Sequence, residues 1–127
     1  MSNIPSQLRY TESHSWVVFE DDVLLVGITD YAQNALGDIV FVEHPEDGMH
    51  YQQGQQTGMI ESVKTGSDIY APVTGKVVDV NEALINAPEL INADPYRAWI
   101  YKILPASKVE FEQLLTAKDY QALINKE

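Results

Sequence analysis

Residues 57–71 read Thr57-Gly58-Met59-Ile60-Glu61-Ser62-Val63-Lys64-Thr65-Gly66-Ser67-Asp68-Ile69-Tyr70-Ala71. Apolar and β-branched residues alternate with polar ones on either side of Lys64-Thr65-Gly66-Ser67, which predicts two strands joined by a tight turn with a lysine at its tip. Further strands are expected on both sides of this hairpin. Upstream, residues 16–19 and 23–28 flank Glu20-Asp21-Asp22 as a second hairpin, and residues 39–43 form a strand that stops at Pro45-Glu46-Asp47-Gly48. Downstream, residues 75–80 and 99–104 supply two more. Between the second and third strands, Thr29 or Asp30 caps a short helix that runs through Leu36 and stops at Gly37.

Many short strands punctuated by Gly, Pro and Asn predict a mostly β sandwich or barrel, because a βαβ sheet needs long helices between its strands. The C-terminal end changes character. Ser107-Lys108-Val109-Glu110 has the spacing of a capping box, opening a helix with Phe111, Leu114 and Leu115 on one face. Thr116 starts a second helix with Tyr120, Leu123 and Ile124 apolar, and the two are expected to cover one end of the β body. Gly37 and Gly75 each lead a Val/Ile-rich strand, 38 residues apart, with the lysine turn between them.

Composition excludes several functions. The 127 residues and 14.3 kDa suit one hydrophobic core. No apolar run approaches the ~20 residues of a membrane span. The start, Met1-Ser2-Asn3-Ile4-Pro5, lacks the pattern of a signal or organelle presequence, so a cytoplasmic protein is expected. There is no cysteine, hence no disulfide, thiolate nucleophile or Cys-based metal site. A net charge of −11, with the eight Lys and Arg scattered, argues against nucleic acid. The acidity serves either solubility or recognition by partners with basic docking surfaces. His14, His44 and His50 are too dispersed for a relay or a metal site, and no catalytic residue or metal ligand is assigned.

Lys64 is the only basic residue between Arg9 and Lys76. A lysine at a hairpin tip is ordinarily a solvated turn residue. The same placement is what a covalently modified lysine requires: the amine projects to a modifying enzyme, and flanking strands hold the root of whatever is attached. The string Glu61-Ser62-Val63-Lys64, followed by Ser67-Asp68-Ile69-Tyr70-Ala71-Pro72, resembles the lipoylation segment of glycine cleavage H proteins. Similar blocks run almost end to end: Tyr10-Thr11 with His14 and Trp16; residues 26–33; residues 36–43; Val80-Asn81-Glu82-Ala83-Leu84; Pro88-Glu89-Leu90-Ile91-Asn92; and Asp94-Pro95-Tyr96 with Trp99. The chain departs from the family at Ser15, where a glutamate is usual, and at Arg97-Ala98, a shorter segment without glycine.

The resemblance implies a lipoyl/biotinyl-type flattened β-barrel, a barrel-sandwich hybrid, with short peripheral and C-terminal helices. It implies one lipoyl-carrier domain over residues 1–127, with a β body at about 8–104 and helices at about 107–125. It implies a carrier and not an enzyme: lipoic acid in amide linkage on Lys64 would take the aminomethyl group of glycine from a pyridoxal-phosphate decarboxylase, the P protein. That group would pass to the tetrahydrofolate-dependent aminomethyltransferase, the T protein, and dihydrolipoyl dehydrogenase, the L protein, would reoxidise the arm. A lipoate ligase or an octanoyl/lipoyl transferase would load it. Glu61, Ser62, Val63 and Asp68 would be recognised around the lysine, and Ser13, Ser15 and Asp68 would contact the stowed arm. The alternatives are an H-like protein that relays lipoate to other enzymes, and an unmodified β interaction module. Biotin carriers usually flank the lysine with methionines, and lipoyl domains of 2-oxoacid dehydrogenases usually show Asp-Lys and lack the C-terminal helices.

Overall fold

The computed structural model describes residues 3–127, so Met1 and Ser2 of the expected leaderless start lie outside the described residues. The strands are β1 (Arg9–Tyr10), β2 (Ser15–Glu20), β3 (Val23–Ile28), β4 (Ile39–Glu43), β5 (His50–Tyr51), β6 (Gln56–Ser62), β7 (Gly66–Tyr70), β8 (Gly75–Val80) and β9 (Tyr101–Pro105). The helices are α1 (Asp30–Leu36), α2 (Ala83–Asn86), α3 (Leu90–Ala93), α4 (Val109–Glu112) and α5 (Ala117–Ile124). They build a six-stranded sheet in the order β1-β2-β3-β9-β8-β5 and a three-stranded sheet in the order β4-β6-β7, both antiparallel. The mostly β fold expected from the sequence is therefore present as two facing sheets, which do not close into a true barrel.

Strand β2 explains the layering. Val17 and Phe19 face the main core, with Leu24, Val26, Val77 and Ile103 from the same sheet and Val42, Ile60 and Ile69 from the smaller one. Trp16 and Val18 face the other way, into a second cluster with Leu8, Tyr10 and Tyr120. An apolar run buried on both faces needs a cover on each side. One cover is the small sheet and the other is α5. Each fully buried large side chain contributes about 1.5–3 kcal/mol.

The hairpin β2–β3 turns at Asp21, whose φ of 56° is left-handed. In α1 the Thr29 hydroxyl accepts from the Ala32 amide, and Gly37 follows with φ 82°. Both β4 and β6 are bulged, between Ile39 and Phe41 and between Gln56 and Gly58. At the second bulge the two strands come so close that a Cβ on Gly58 would overlap the Glu43 carbonyl oxygen, so only glycine fits.

The capping-box expectation is corrected. Helix α4 is a single turn, and Glu110 does not return to its own N-terminus. Its carboxylate instead accepts from the Thr74 amide at 2.6 Å and the Thr74 hydroxyl at 3.1 Å. The chain then leaves helical geometry because its backbone is engaged elsewhere. Arg9 donates to the carbonyls of Glu112 and Leu114, and Tyr10 and Leu115 exchange both backbone hydrogen bonds. Phe111 and Leu114 pack on the main core while Leu115 joins the second cluster, so the expected single face is split. Helix α5 forms as read, capped by the Thr116 hydroxyl on the Asp119 amide.

Tyr120 fastens α5. Its ring stacks on Tyr10 at 4.7 Å, and its hydroxyl lies 2.8 Å from both the Thr29 hydroxyl and His14 Nδ1. His14 has a left-handed φ of 69°, and its Nε2 meets Glu127 at 3.3 Å. Tyr120→Phe keeps the stacked ring and removes its hydrogen bonds to the Thr29 hydroxyl and His14 Nδ1. It is expected to destabilise the fold by ~1–3 kcal/mol, read as a lower urea midpoint with unchanged slope. An unchanged midpoint would show that the hydroxyl contributes nothing.

His44 is part-buried with Nε2 unpartnered, and burial lowers its pKa below the ordinary histidine value; the Asn81 backbone and the charge of Glu82 oppose that shift. The unfolded chain therefore takes up a proton near pH ~6.5 that the folded chain refuses. Stability that is complete above that pH falls as the solution is acidified. In paired urea titrations His44→Gln should lose less stability than the wild type over this window, and parallel curves would contradict the assignment.

Candidate functional site

The lysine turn is shorter than the sequence suggests. Strand β6 ends at Ser62 and β7 begins at Gly66, so Val63, Lys64 and Thr65 alone form the loop, and Glu61 pairs with Gly66 at its base. Ser62 locks it from within. Its amide donates to the Thr65 carbonyl at 2.7 Å and its hydroxyl donates to the same oxygen at 3.1 Å. The hydroxyl also accepts from the Thr65 amide at 3.2 Å and, weakly, from the Lys64 amide at 3.4 Å. A loop this short needs such a side chain, because its backbone groups cannot all be paired across the ladder. The turn is also tied sideways, the Val63 amide donating to the Asp38 carbonyl at 3.0 Å.

Lys64 is exposed at the tip. The ion pairs among the described residues are His14–Glu127 and Lys102–Glu20, so no carboxylate holds the Lys64 amine. Val63 beside it is 70% exposed, and Val40 and Phe41 on β4 are about half exposed, at 52% and 48%. Glu61 and Asp68 are exposed too, and Asp68 accepts from Gln56 Nε2 at 3.1 Å. The strands β4, β6 and β7 carry Glu43, Glu61 and Asp68 and no basic residue.

A cleft of about 430 Å³ opens further along the molecule. Tyr10 to Ser13 form one wall, Tyr70 to Pro72 another, and Gln113 to Leu115 the third. Ser13 therefore lines it. Asp68 lies on the same face of β7 as Tyr70, by the two-residue alternation of a strand. Gly66 to Tyr70 spans four steps of ~3.3 Å, so the cleft begins roughly 13 Å from the lysine turn.

Ser15 is placed differently. It is 1% exposed at the start of β2, paired with Ile28, and its hydroxyl has no hydrogen-bond partner. The structure thus places Ser13 in the wall of the cleft, Asp68 on β7 short of it, and Ser15 beneath the surface. Arg97-Ala98 closes a turn on the Asp94 carbonyl, and the neighbouring Pro95 carbonyl accepts from the Trp16 indole at 2.9 Å. Among the described residues no three His, Asp or Glu side chains cluster to hold a metal, and no helix is long and apolar enough to cross a membrane.

Two contributors to the site were not singled out by the sequence reading: Gly37, read as a helix stop and the start of a strand, and Asn92, which sits in a one-turn helix. A Cβ on Gly37 would stand 3.3 Å from Lys64 Cε, and Asn92 holds Gly37 by its carbonyl at 2.8 Å. The left-handed geometry favoured at a glycine after a helix was the available signal for the first; the second had none.

Comparison with known proteins identifies the family. The family model of the glycine cleavage H-protein matches residues 8–127. Glycine cleavage system H protein 2 of Pseudomonas putida is 54% identical over 125 residues, 98% of each chain. Glycine cleavage system H protein of Alcanivorax borkumensis is 51% identical over 128 residues, 100% of each chain. The crystal structure of a glycine cleavage system H protein from Mycobacterium marinum matches with a TM-score of 0.87 at 40% identity, over 96% of this chain and 99% of that one. With a family match over nearly its whole length, and relatives this similar over theirs, the chain belongs to the glycine cleavage H-protein family.

Proposed function

We propose that residues 1–127 act as a single carrier domain, acylated once on Lys64 with lipoic acid, that shuttles the aminomethyl group of glycine. The observation that carries this reading is Lys64 itself: exposed, free of any carboxylate within ion-pairing distance among the described residues, and rooted on a three-residue turn braced by Ser62. When bound, the lipoyl dithiolane supplies the sulfur that takes up and releases the aminomethyl group. The chain's own contribution is attachment, orientation and docking.

Attachment needs the neutral Lys64 amine. Nζ attacks the activated lipoyl carbonyl carbon of a lipoyl adenylate, the C–N bond forms, AMP leaves with the electrons of the acyl–oxygen bond, and the amine gives up a proton. The positive charge at the tip disappears, and the net charge becomes one unit more negative than −11. Glu61, Val63 and Asp68 then present an acidic face with an apolar centre to the enzymes that visit the arm, and Ser62 keeps its root fixed. The cleft that Ser13 and Tyr70 line would receive the arm when it is bound.

The partners in this reading are the P, T and L proteins and a lipoate ligase or octanoyl/lipoyl transferase. The chain carries and does not itself turn over substrate. A cytoplasmic site of action belongs to the same reading, the relatives named above being bacterial. One observation favours a second role, as lipoyl donor to other enzymes: residue 15 buries an unpartnered hydroxyl and offers no charge to a stowed amine. A glycine–bicarbonate exchange assay with the decarboxylase separates the two roles, since only the shuttle supports exchange.

Incubation with lipoate ligase, lipoate and ATP should add the mass of one lipoyl group, mapped to Lys64 and absent from Lys64→Ala. No addition, under conditions that modify a lipoyl domain run alongside, would overturn the carrier reading.

A further inference from the structure

The outer half of the Lys64 side chain passes over Gly37. A Cβ at Gly37 would stand 3.3 Å from Lys64 Cε and 3.8 Å from Nζ, so the missing side chain leaves a ledge over which the lysine lies. Gly37 holds φ 82° and ψ −152°, a conformation residues with side chains avoid. A loop in that conformation keeps its shape only if its neighbours determine it, and one side chain does most of that.

Asn92, from α3, reaches across with its amide almost fully used. Its Nδ2 donates to the Gly37 carbonyl at 2.8 Å and to Gln33 Oε1 at 3.0 Å. Its Oδ1 accepts from the Ile39 amide at 2.9 Å. The two sides of the ledge, Gly37 and Ile39, are thereby pinned to one planar group. Asp38 lies between them, and its carbonyl is the acceptor that the Val63 amide uses next to Lys64. A continuous path runs from Asn92 through Gly37–Ile39 to Val63 and to the aliphatic chain of Lys64. None of these groups is needed for chemistry on the lysine.

We infer that Asn92 is a positioning residue for acylation of Lys64. By fixing the Gly37–Ile39 ledge it limits the directions in which the amine leaves the turn, so a modifying enzyme meets Nζ where it needs it. This inference rests on the reading of Lys64 as the lipoylation site. A purely structural role, closing α1 and starting β4, makes a different prediction: any equal loss of stability elsewhere would have the same effect on acylation.

The test compares wild type, Asn92→Asp, Gly37→Ala and Tyr120→Phe as lipoate ligase substrates, by intact mass, with kcat, KM and Tm for each. Asn92→Asp keeps the acceptor for Ile39 but loses both donors and sets a carboxylate against the Gly37 carbonyl. Its kcat/KM should fall about tenfold, mostly in kcat, as a misplaced reacting group costs. Hydrogen exchange of its Val63 amide should quicken. Gly37→Ala, which raises the floor under Lys64, should fall similarly, whereas Tyr120→Phe should lose Tm and keep the wild-type rate. The inference is overturned if Asn92→Asp is acylated at the wild-type rate, or if Tyr120→Phe loses as much for an equal drop in Tm. Should Asn92→Asp fail to fold, exchange in the wild type decides. Protected Val63 and Ile39 amides support the clamp, and open-chain rates overturn it. If even the wild type is not acylated, the carrier reading falls and this inference with it; equal acylation of wild type and variants removes this inference alone.

Discussion

The first half of strand β2, Ser15 to Val17, is buried on both faces, and the layers of the molecule follow from that. Val17 and Trp16 are neighbours pointing in opposite directions, and both are excluded from solvent. A strand of that kind cannot sit on the outside of a one-sided sheet; something must cover Trp16 as well as Val17. The smaller sheet covers one side, and Tyr10, Leu115 and α5 cover the other. Tyr120 is the element that fastens this second cover, through a stacked ring and two hydroxyl contacts, and the lysine turn takes no part in it.

The lysine turn is built with little chemistry and much geometry. Its lysine carries no paired carboxylate, its loop is closed by one serine, and its sideways anchor is a single backbone bond to Asp38. A carrier needs a root that does not wander and a tip that remains available to several enzymes in turn. In the proposed reading the hydrogen-bonded backbone at residues 37–39 and 62–65 serves the first, and the exposure of Val63 and Lys64 serves the second.

Strands and turns were legible where local pattern determines them. The β2–β3 hairpin, the cap and stop of α1, and the strands around Lys64 all follow from alternation, turn residues and caps within a few positions. The family likeness pointed to Lys64, a residue that local pattern alone leaves an ordinary turn lysine. What local reading could not supply is long-range pairing. Glu110 has the position of a capping partner, yet Thr74, 36 residues away, takes its carboxylate. Gly37 was legible as a helix stop but not as a floor for a side chain 27 residues later, and Asn92 meets it from 55 residues further on. Ser15 was expected beside the arm by likeness to a position that usually bears glutamate. Its smaller side chain instead lies within the sheet, with no partner for its hydroxyl.

The smaller sheet has two free borders, β4 and β7, and the lysine turn joins the strand between them to one. Open borders of this kind invite a second copy to add its own strand, and such pairing would bury the face that has to be shown to other proteins. The bulge at Val40 breaks the regular spacing of donors and acceptors on β4, and Glu43 and Asp68 place like charges on both margins. The bulge and the like charges thus oppose the addition of a second copy's strand at either border, which leaves the lysine turn between them uncovered.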